Sequence, residues 1–178
     1  MDGLWLVGER VRLRALEPED LEPLYLWEND SALWERGNTL APFSRYILRE
    51  YIASGGGDLY ESRQLRLMVE ERETGLPVGL IDLFDFEPRH SRAECGILID
   101  RRWQGRGLAT DALRALVRYA SGFLRLHQLY AYIPLSNVPC RRLFARCGFE
   151  EAGILRDWIR MPGGGYSDVV ISQAVSGD

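Results

Sequence analysis

Residues 9–16, ERVRLRAL, alternate in character: Val11 and Leu13 fall on one side, Arg10, Arg12 and Arg14 on the other. A period of two predicts a half-buried strand with a basic outer face. Along PEDLEPLYLWEND (18–30) the spacing lengthens, with Leu21, Leu24, Tyr25 and Trp27 on one side and acids at the start, which predicts a helix. Pro23 conflicts with that reading, because an interior proline removes a hydrogen bond and kinks the helix. SRYILREYIAS (44–54) predicts a second helix, opened by Ser44 as N-cap and stopped by Gly55-Gly56-Gly57, a flexible loop with no helix or cation close behind it. Strands follow at 64–71, 77–86 and 92–100, joined by turns at Thr74-Gly75 and 87–91. From about 107 to 124, Ala109, Ala112, Leu113, Leu116, Val117, Ala120, Phe123 and Leu124 mark one buried helical face. A short strand at 126–133 precedes a helix at 137–149, opened by Ser136 or Asn137 and closed by Gly148. Strands near 149–160 and 168–175 flank the turn PGGGYS. The order predicts a mixed α/β (α+β) fold: a mostly antiparallel sheet of about seven strands flanked by four helices, with no internal repeat.

Composition narrows the function. A chain of 178 residues, 46% hydrophobic and 27% charged, fits one domain spanning 1–178. A net charge of −4 gives no support for nucleic-acid binding and is too small to argue for cationic substrates. Cys95, Cys140 and Cys147 are odd in number and lack metal-ligand spacing, so they read as reduced thiols of an intracellular protein. His90 and His127 are too scattered for a metal site. MDGLWLVGER has neither a basic start nor a long apolar run, and no window approaches 18 apolar residues. The expectation is a cytoplasmic protein with no membrane span, no metal and no nucleic-acid partner.

The chemistry concentrates in WQGRGLATDAL (103–113), where a strand runs through two glycines into the long helix. The first turn of a helix leaves backbone N–H groups unpaired and partially positive, and glycines let a ligand approach without meeting a Cβ. Together they suit a pyrophosphate; read alone, the same pattern is a helix start with flexible glycines. A dinucleotide fingerprint would need a third glycine where Thr110 stands, and the P-loop pattern is absent.

Gln104-x-x-Gly107-x-Ala109 resembles the Q/R-x-x-G-x-G/A motif of the GNAT superfamily of acetyl-coenzyme A-dependent N-acetyltransferases. Asn137 followed by Leu143-Phe144-x-x-Cys147-Gly148-Phe149 resembles its second signature, and the order of elements fits along nearly the whole chain. RAECGILIDRRWQGRGLATDAL and VRLRALEPEDLEPLY resemble the branch holding spermidine and ribosomal-protein N-acetyltransferases. The resemblance implies a GNAT fold with splayed central strands and acetyl-coenzyme A as cosubstrate. It implies that backbone amides of Gly105, Arg106, Gly107, Leu108, Ala109 and Thr110, with Gln104 opening the turn, receive the pyrophosphate. Arg106 either adds charge there or faces solvent. Ile97, Leu98 and Ile99 would pair with the pantetheine arm as an added strand, the Leu98 N–H pointing at the thioester oxygen. Asn137 would contact the same arm where the strands part, or serve simply as a helix cap.

Acetylation needs a neutral amine, and a lysine-like amine is free base in only about 1 in 2,500 molecules at pH 7. A carboxylate that takes the proton is therefore useful. By resemblance Glu94 is the first candidate, its alternative a surface carboxylate paired with Arg92 or Arg89; Asp82, on the neighbouring strand, is the second, its alternative plain solvation. Phe144 stands where many members carry a tyrosine that protonates the leaving thiolate, so that acid is missing and Phe144 is left to flank the pantetheine arm. Cys140 lacks a histidine partner, which favours direct attack in a ternary complex. The acceptor pocket is expected between 28–42 and the 157–167 turn. Trp27, Trp34, Trp158 and Tyr166, with Glu28, Asp30 and Glu35, would hold a cationic amine, or the aromatics are core and dimer contacts. The reading is an N-acetyltransferase for a primary amine, on a polyamine-like molecule or a protein N-terminus, that can assemble as a homodimer or higher homo-oligomer. Its rival is a coenzyme-binding sensor or interaction module that has lost catalysis.

Overall fold

A computed structural model describes residues 5–34, 39–55 and 57–177. Alternating and apolar runs become seven strands: β1 Val11–Arg14, β2 Leu65–Glu71, β3 Pro77–Glu87, β4 Arg92–Ile99, β5 Gln128–Pro134, β6 Glu150–Arg160 and β7 Tyr166–Val175. They form one sheet in the order β1-β2-β3-β4-β5-β7-β6. Among the described strands only the β4–β5 pair is parallel, so the sheet is mostly antiparallel as the element order predicts.

Six α-helices are described: α1 Leu21–Glu28, α2 Ser31–Trp34, α3 Arg45–Ala53, α4 Leu59–Ser62, α5 Leu108–Arg118 and α6 Val138–Arg146. The two beyond the expected four, α2 and α4, are single turns in stretches read as connections. Pro23 does not kink α1, because a 3-10 turn at Pro18–Asp20 moves the helix start to Leu21. The proline thus sits in the first turn, where its missing N–H would have had no intrahelical partner. Ser44 caps α3, its hydroxyl accepting from Ile47 N–H at 3.1 Å. The long helix ends earlier than its apolar period suggests. At Tyr119–Phe123 it loosens into a π-helical turn, and Phe123, exposed, stacks on Tyr119 instead of entering the core.

Two apolar layers hold the sheet. On one face Val11, Ile81, Leu83, Ala93 and Cys95 meet Leu108, Leu113 and Leu116 of α5 and Phe144 of α6. On the other face Met68 and Leu80 meet Leu24 and Trp27 of α1 and Leu48 and Ile52 of α3. The arginine face of β1 is not free. Arg14 donates in a bidentate pair to buried Asp20 at 2.7 and 3.0 Å, and both Arg12 and Arg14 reach Glu70. No described helix is long and apolar enough to cross a membrane.

Candidate active site

The sheet opens at its centre. β4 pairs with β5 only at Arg92, Ala93 and Glu94, opposite Gln128, Leu129 and Tyr130. Beyond that rung each strand follows its other neighbour: β4 stays in register with β3 as far as Ile99, and β5 stays with β7 as far as Pro134. The result is a wedge with Glu94 and Tyr130 at its vertex.

Which amides face the wedge follows from the ladder. Asp100 N–H donates to Val78 C=O at 2.8 Å, across the β3–β4 pair. Main-chain groups alternate sides along an antiparallel strand, so those of Leu98 and Gly96 also point at β3, opposite Leu80 and Asp82. Those of Ile97 and Ile99 point into the wedge. The expectation that the Leu98 N–H meets a thioester is therefore corrected: its amide belongs to the sheet, and its side chain packs toward α1 and α3. Ile99 C=O accepts from the Gln104 side chain at 3.0 Å, so Gln104 ties the strand end to the glycine turn.

That turn has the shape its glycines require. Gly105 and Gly107 have φ of +76° and +77°, the left-handed region that L side chains rarely adopt. Gly107 is the N-cap of α5, and Asp111 N–H donates to its carbonyl at 3.2 Å. The N–H groups of Leu108, Ala109 and Thr110 precede the first helical donor, Asp111 N–H, and have no partner within the helix. A Cβ on Gly105 would stand in open space, so it is the backbone conformation and not crowding that calls for glycine there. Arg106 is exposed and lies over the Trp103 ring at 4.7 Å.

Two residues that sequence reasoning missed brace this turn. The Asp111 carboxylate accepts from the N–H groups of Glu9, Arg10 and Val11 at 3.1, 2.8 and 2.9 Å, pinning β1 to the start of α5. Arg10 donates to Arg106 C=O at 2.6 Å, which places its guanidinium 3.7 Å from where a Gly107 Cβ would be. No local pattern marks a contact spanning about a hundred residues.

α6 forms the wedge's other lip. Asn137 is its N-cap, with Oδ1 accepting from Cys140 N–H at 3.3 Å. Its C-terminus is a Schellman motif: Phe149 N–H returns to Phe144 C=O at 3.1 Å and Gly148 N–H to Ala145 C=O at 3.2 Å, with Gly148 at φ +89°. Phe144 is 2% exposed and meets Phe149 edge to face at 4.8 Å, so its ring fills the core behind this lip.

Glu94 has an environment suited to proton transfer. Burial first, and then the negative charge of Asp85, push its carboxyl up to about 7. Among the described residues no ion pair reaches it, so neither Arg89 nor Arg92 neutralises it. Glu94, Gly96 and Leu98 share one face of β4, and the last two line a cavity of about 190 Å³ beneath α1 and α2. Trp27, Glu28, Trp34, Arg66 and Asp82 line it too. Asp82 is not solvated: Arg66 grips both of its oxygens, at 2.8 and 3.1 Å.

The 157–167 turn does not contribute, contrary to expectation. Tyr166 lines a separate open groove of about 380 Å³ with Leu135, Ser136, Ser167 and Asp168. Trp158 stacks on Tyr132 with centroids 6.2 Å apart, and Asp30 is engaged by Ala32 N–H and Arg101. Glu35 lies outside the described residues. Cys95 and Cys147 are buried, and burial pushes both thiols up, away from nucleophilic use.

Comparison with known proteins agrees with this architecture. The chain is 26% identical over 163 residues to spermidine N(1)-acetyltransferase of Vibrio cholerae serotype O1, spanning 92% of this chain and 91% of that protein. It is 28% identical over 172 residues to a putative ribosomal N-acetyltransferase, YdaF, of Bacillus subtilis, spanning 88% and 87%. The crystal structure of the Vibrio cholerae spermidine N-acetyltransferase in complex with CoA and spermine superposes with a TM-score of 0.80 at 26% identity, covering 94% of this chain and 96% of that one. The acetyltransferase (GNAT) domain family matches residues 10–150, most of the chain. With that family matching most of the chain and the fold shared with a solved member, the protein belongs to the GNAT acetyltransferases.

Proposed function

We propose that the protein moves the acetyl group of acetyl-coenzyme A to a primary amine by direct attack in a ternary complex, with Glu94 as base. The observation that carries this reading is the placement of Glu94. It sits at the vertex of the β4–β5 wedge, on the strand face that continues through Gly96 and Leu98 into the cavity under α1.

The residues fit the coenzyme. Left-handed glycines at 105 and 107 turn the chain so that backbone N–H groups from Gly105 to Thr110 gather at the positive end of α5, with Arg10 and Arg106 close by. Ile97 and Ile99 offer main-chain groups along the open edge of β4, where an extended arm adds as a strand. Their N–H groups replace that of Leu98 as donors for a carbonyl in the wedge. Asn137 stands at the far lip, its Oδ1 committed to the helix cap. Bound acetyl-coenzyme A supplies an acyl group on a thiolate leaving group.

The remaining chemistry belongs to the chain. Glu94, half-buried and titrating near 7, is poised to accept a proton from an ammonium arriving through the cavity. Asp82 is unsuited to that task, because the Arg66 guanidinium occupies both of its oxygens. Phe144 supports the wall and donates nothing. A thiol of pKa about 8.5 needs little help to leave as an anion at neutral pH. Trp34 closes the acceptor cavity, its indole N–H donating to Glu28 C=O at 2.7 Å.

The test offers purified protein acetyl-coenzyme A with polyamines, amino acids, aminoglycosides and N-terminal peptides, and follows free thiol. Release that depends on one amine class supports the enzyme. Tight binding of acetyl-coenzyme A by calorimetry with no release on any amine would make the protein a coenzyme-binding module.

A further inference from the structure

The acceptor cavity has an unusual charge arrangement. Three of its described lining side chains are charged: Glu28 at the end of α1, Arg66 on β2 and Asp82 on β3. They form one cluster. Arg66 Nε and Nη2 donate to the two oxygens of Asp82 at 2.8 and 3.1 Å, while Nη1 donates to the Glu28 carboxylate. All three are largely enclosed, with side-chain exposures of 15% for Glu28, 18% for Asp82 and 20% for Arg66. The Arg66 guanidinium also faces the Tyr51 ring at 5.9 Å, which walls it from the α3 side.

This changes what the two acids can do. A pair of free carboxylates would attract a polycation strongly. Here two carboxylates share one guanidinium, and the cluster carries one net negative charge. A first ammonium entering the cavity meets that surplus. A second would have to lie near the Arg66 guanidinium in a site with little water to screen the repulsion, or break a bidentate pair, and removing one partner from an enclosed pair is costly.

We propose that Arg66 sets the charge limit of the acceptor site: by clamping Glu28 and Asp82 it selects an amine with a single positive charge over a polyamine. The inference rests on the reading of this cavity as the acceptor site of an acetyltransferase. It makes Arg66 a specificity determinant, acting through the carboxylates it holds.

The test compares a monoamine with putrescine, spermidine and spermine. Each is measured by thiol release and, independently of turnover, by calorimetric binding to the protein loaded with coenzyme A. Three variants separate charge from shape. Arg66→Lys keeps the charge, Arg66→Gln raises the net negative charge by one, and Glu28→Gln with Arg66→Gln restores it without the guanidinium. Wild type and Arg66→Lys should favour the monoamine over spermine by about tenfold, the scale of one modest electrostatic contribution. Arg66→Gln should shift that ratio toward spermine by about tenfold or more, and the double variant should return to within about threefold of wild type. Wild-type preference for spermine would overturn the proposal, as would a double variant that behaves like Arg66→Gln. Should Arg66→Gln fail to fold, Glu28→Gln alone decides the matter: it leaves Arg66 paired with Asp82 and the cluster neutral, so the ratio should move further from spermine, and an unchanged ratio would overturn the proposal. Acetyl transfer whose selectivity none of the variants alters refutes the charge limit and leaves the acetyltransferase standing. No thiol release on any amine refutes the acetyltransferase, and the binding ratios then judge the charge limit alone.

Discussion

Replacing Glu94 by glutamine tests the base in two independent ways, because the same burial that equips Glu94 for proton transfer also makes its charge unfavourable. Its carboxyl is raised from an ordinary 4.5 to about 7. At about 1.36 kcal/mol per pH unit, that rise corresponds to about 3.4 kcal/mol, which contact with solvent reduces to about 1–2 kcal/mol. The sign follows from proton counting. Below 4.5 the carboxyl is neutral in both folded and unfolded chains and costs nothing. Between 4.5 and 7 the unfolded chain loses the proton first, so wild-type stability falls with rising pH, and above 7 the cost is complete. Glutamine carries no charge at any of these values. The variant should therefore match wild type in melting temperature near pH 4.5 and exceed it by about 2–8 °C at pH 8, for a domain of this size. Activity should move the other way. Wild-type kcat/KM should rise with pH through a limb near 7; Glu94→Gln should lose that limb and fall in kcat by about 10²–10³ at neutral pH. The deficit should narrow at high pH, where the amine deprotonates in bulk. Melting curves and initial rates across pH 4.5–9.5 provide both measurements. A limb near 7 that survives in the variant, or a loss below about fivefold, would refute Glu94 as base. A melting temperature that fails to rise at pH 8 would refute the burial argument itself.

Three further outcomes are expected. Gly107→Glu should abolish binding of acetyl-coenzyme A in calorimetry, because it sets a carboxylate where the pyrophosphate is placed; Gly107→Ala, which shares the strain of φ +77° at about 1–2 kcal/mol but not the charge, should retain most of the affinity. An affinity for the glutamate variant within about threefold of wild type would remove the phosphate site from this turn. Phe144→Leu should lower stability by about 1–2 kcal/mol through a poorer fit against Phe149, yet reduce kcat by less than about tenfold, since no proton passes through this ring. Asp111→Ala, which strips the acceptor from three backbone N–H groups, should cost about 2–4 kcal/mol in denaturant unfolding and weaken coenzyme binding, because β1 and Arg10 would no longer brace the glycine turn.

Local patterns along the chain determined a good deal. Alternation at β1, runs bounded by turn residues and period-3.6 spacing located all seven strands and the four longer helices, because the forces that select them act between near neighbours. The left-handed turns at Gly105, Gly107 and Gly148 were legible for the same reason: only glycine adopts those dihedrals without strain. So was Ser44 as a cap. Tertiary structure alone decided the rest. The opening between β4 and β5 arises because each strand is held by a different partner, which no feature of either strand records. The same register turns the Leu98 amide toward β3 and the amides of Ile97 and Ile99 into the wedge, a choice that depends on which side β3 lies. Asp82 reads identically as a solvated acid or a clamped one until the fold brings Arg66 and Glu28 to it. Trp158 and Tyr166 looked like pocket walls by composition, and the β6–β7 hairpin carries them elsewhere. Charge compensation and strand pairing are set by residues far apart in the chain, and only folding brings them within reach of one another.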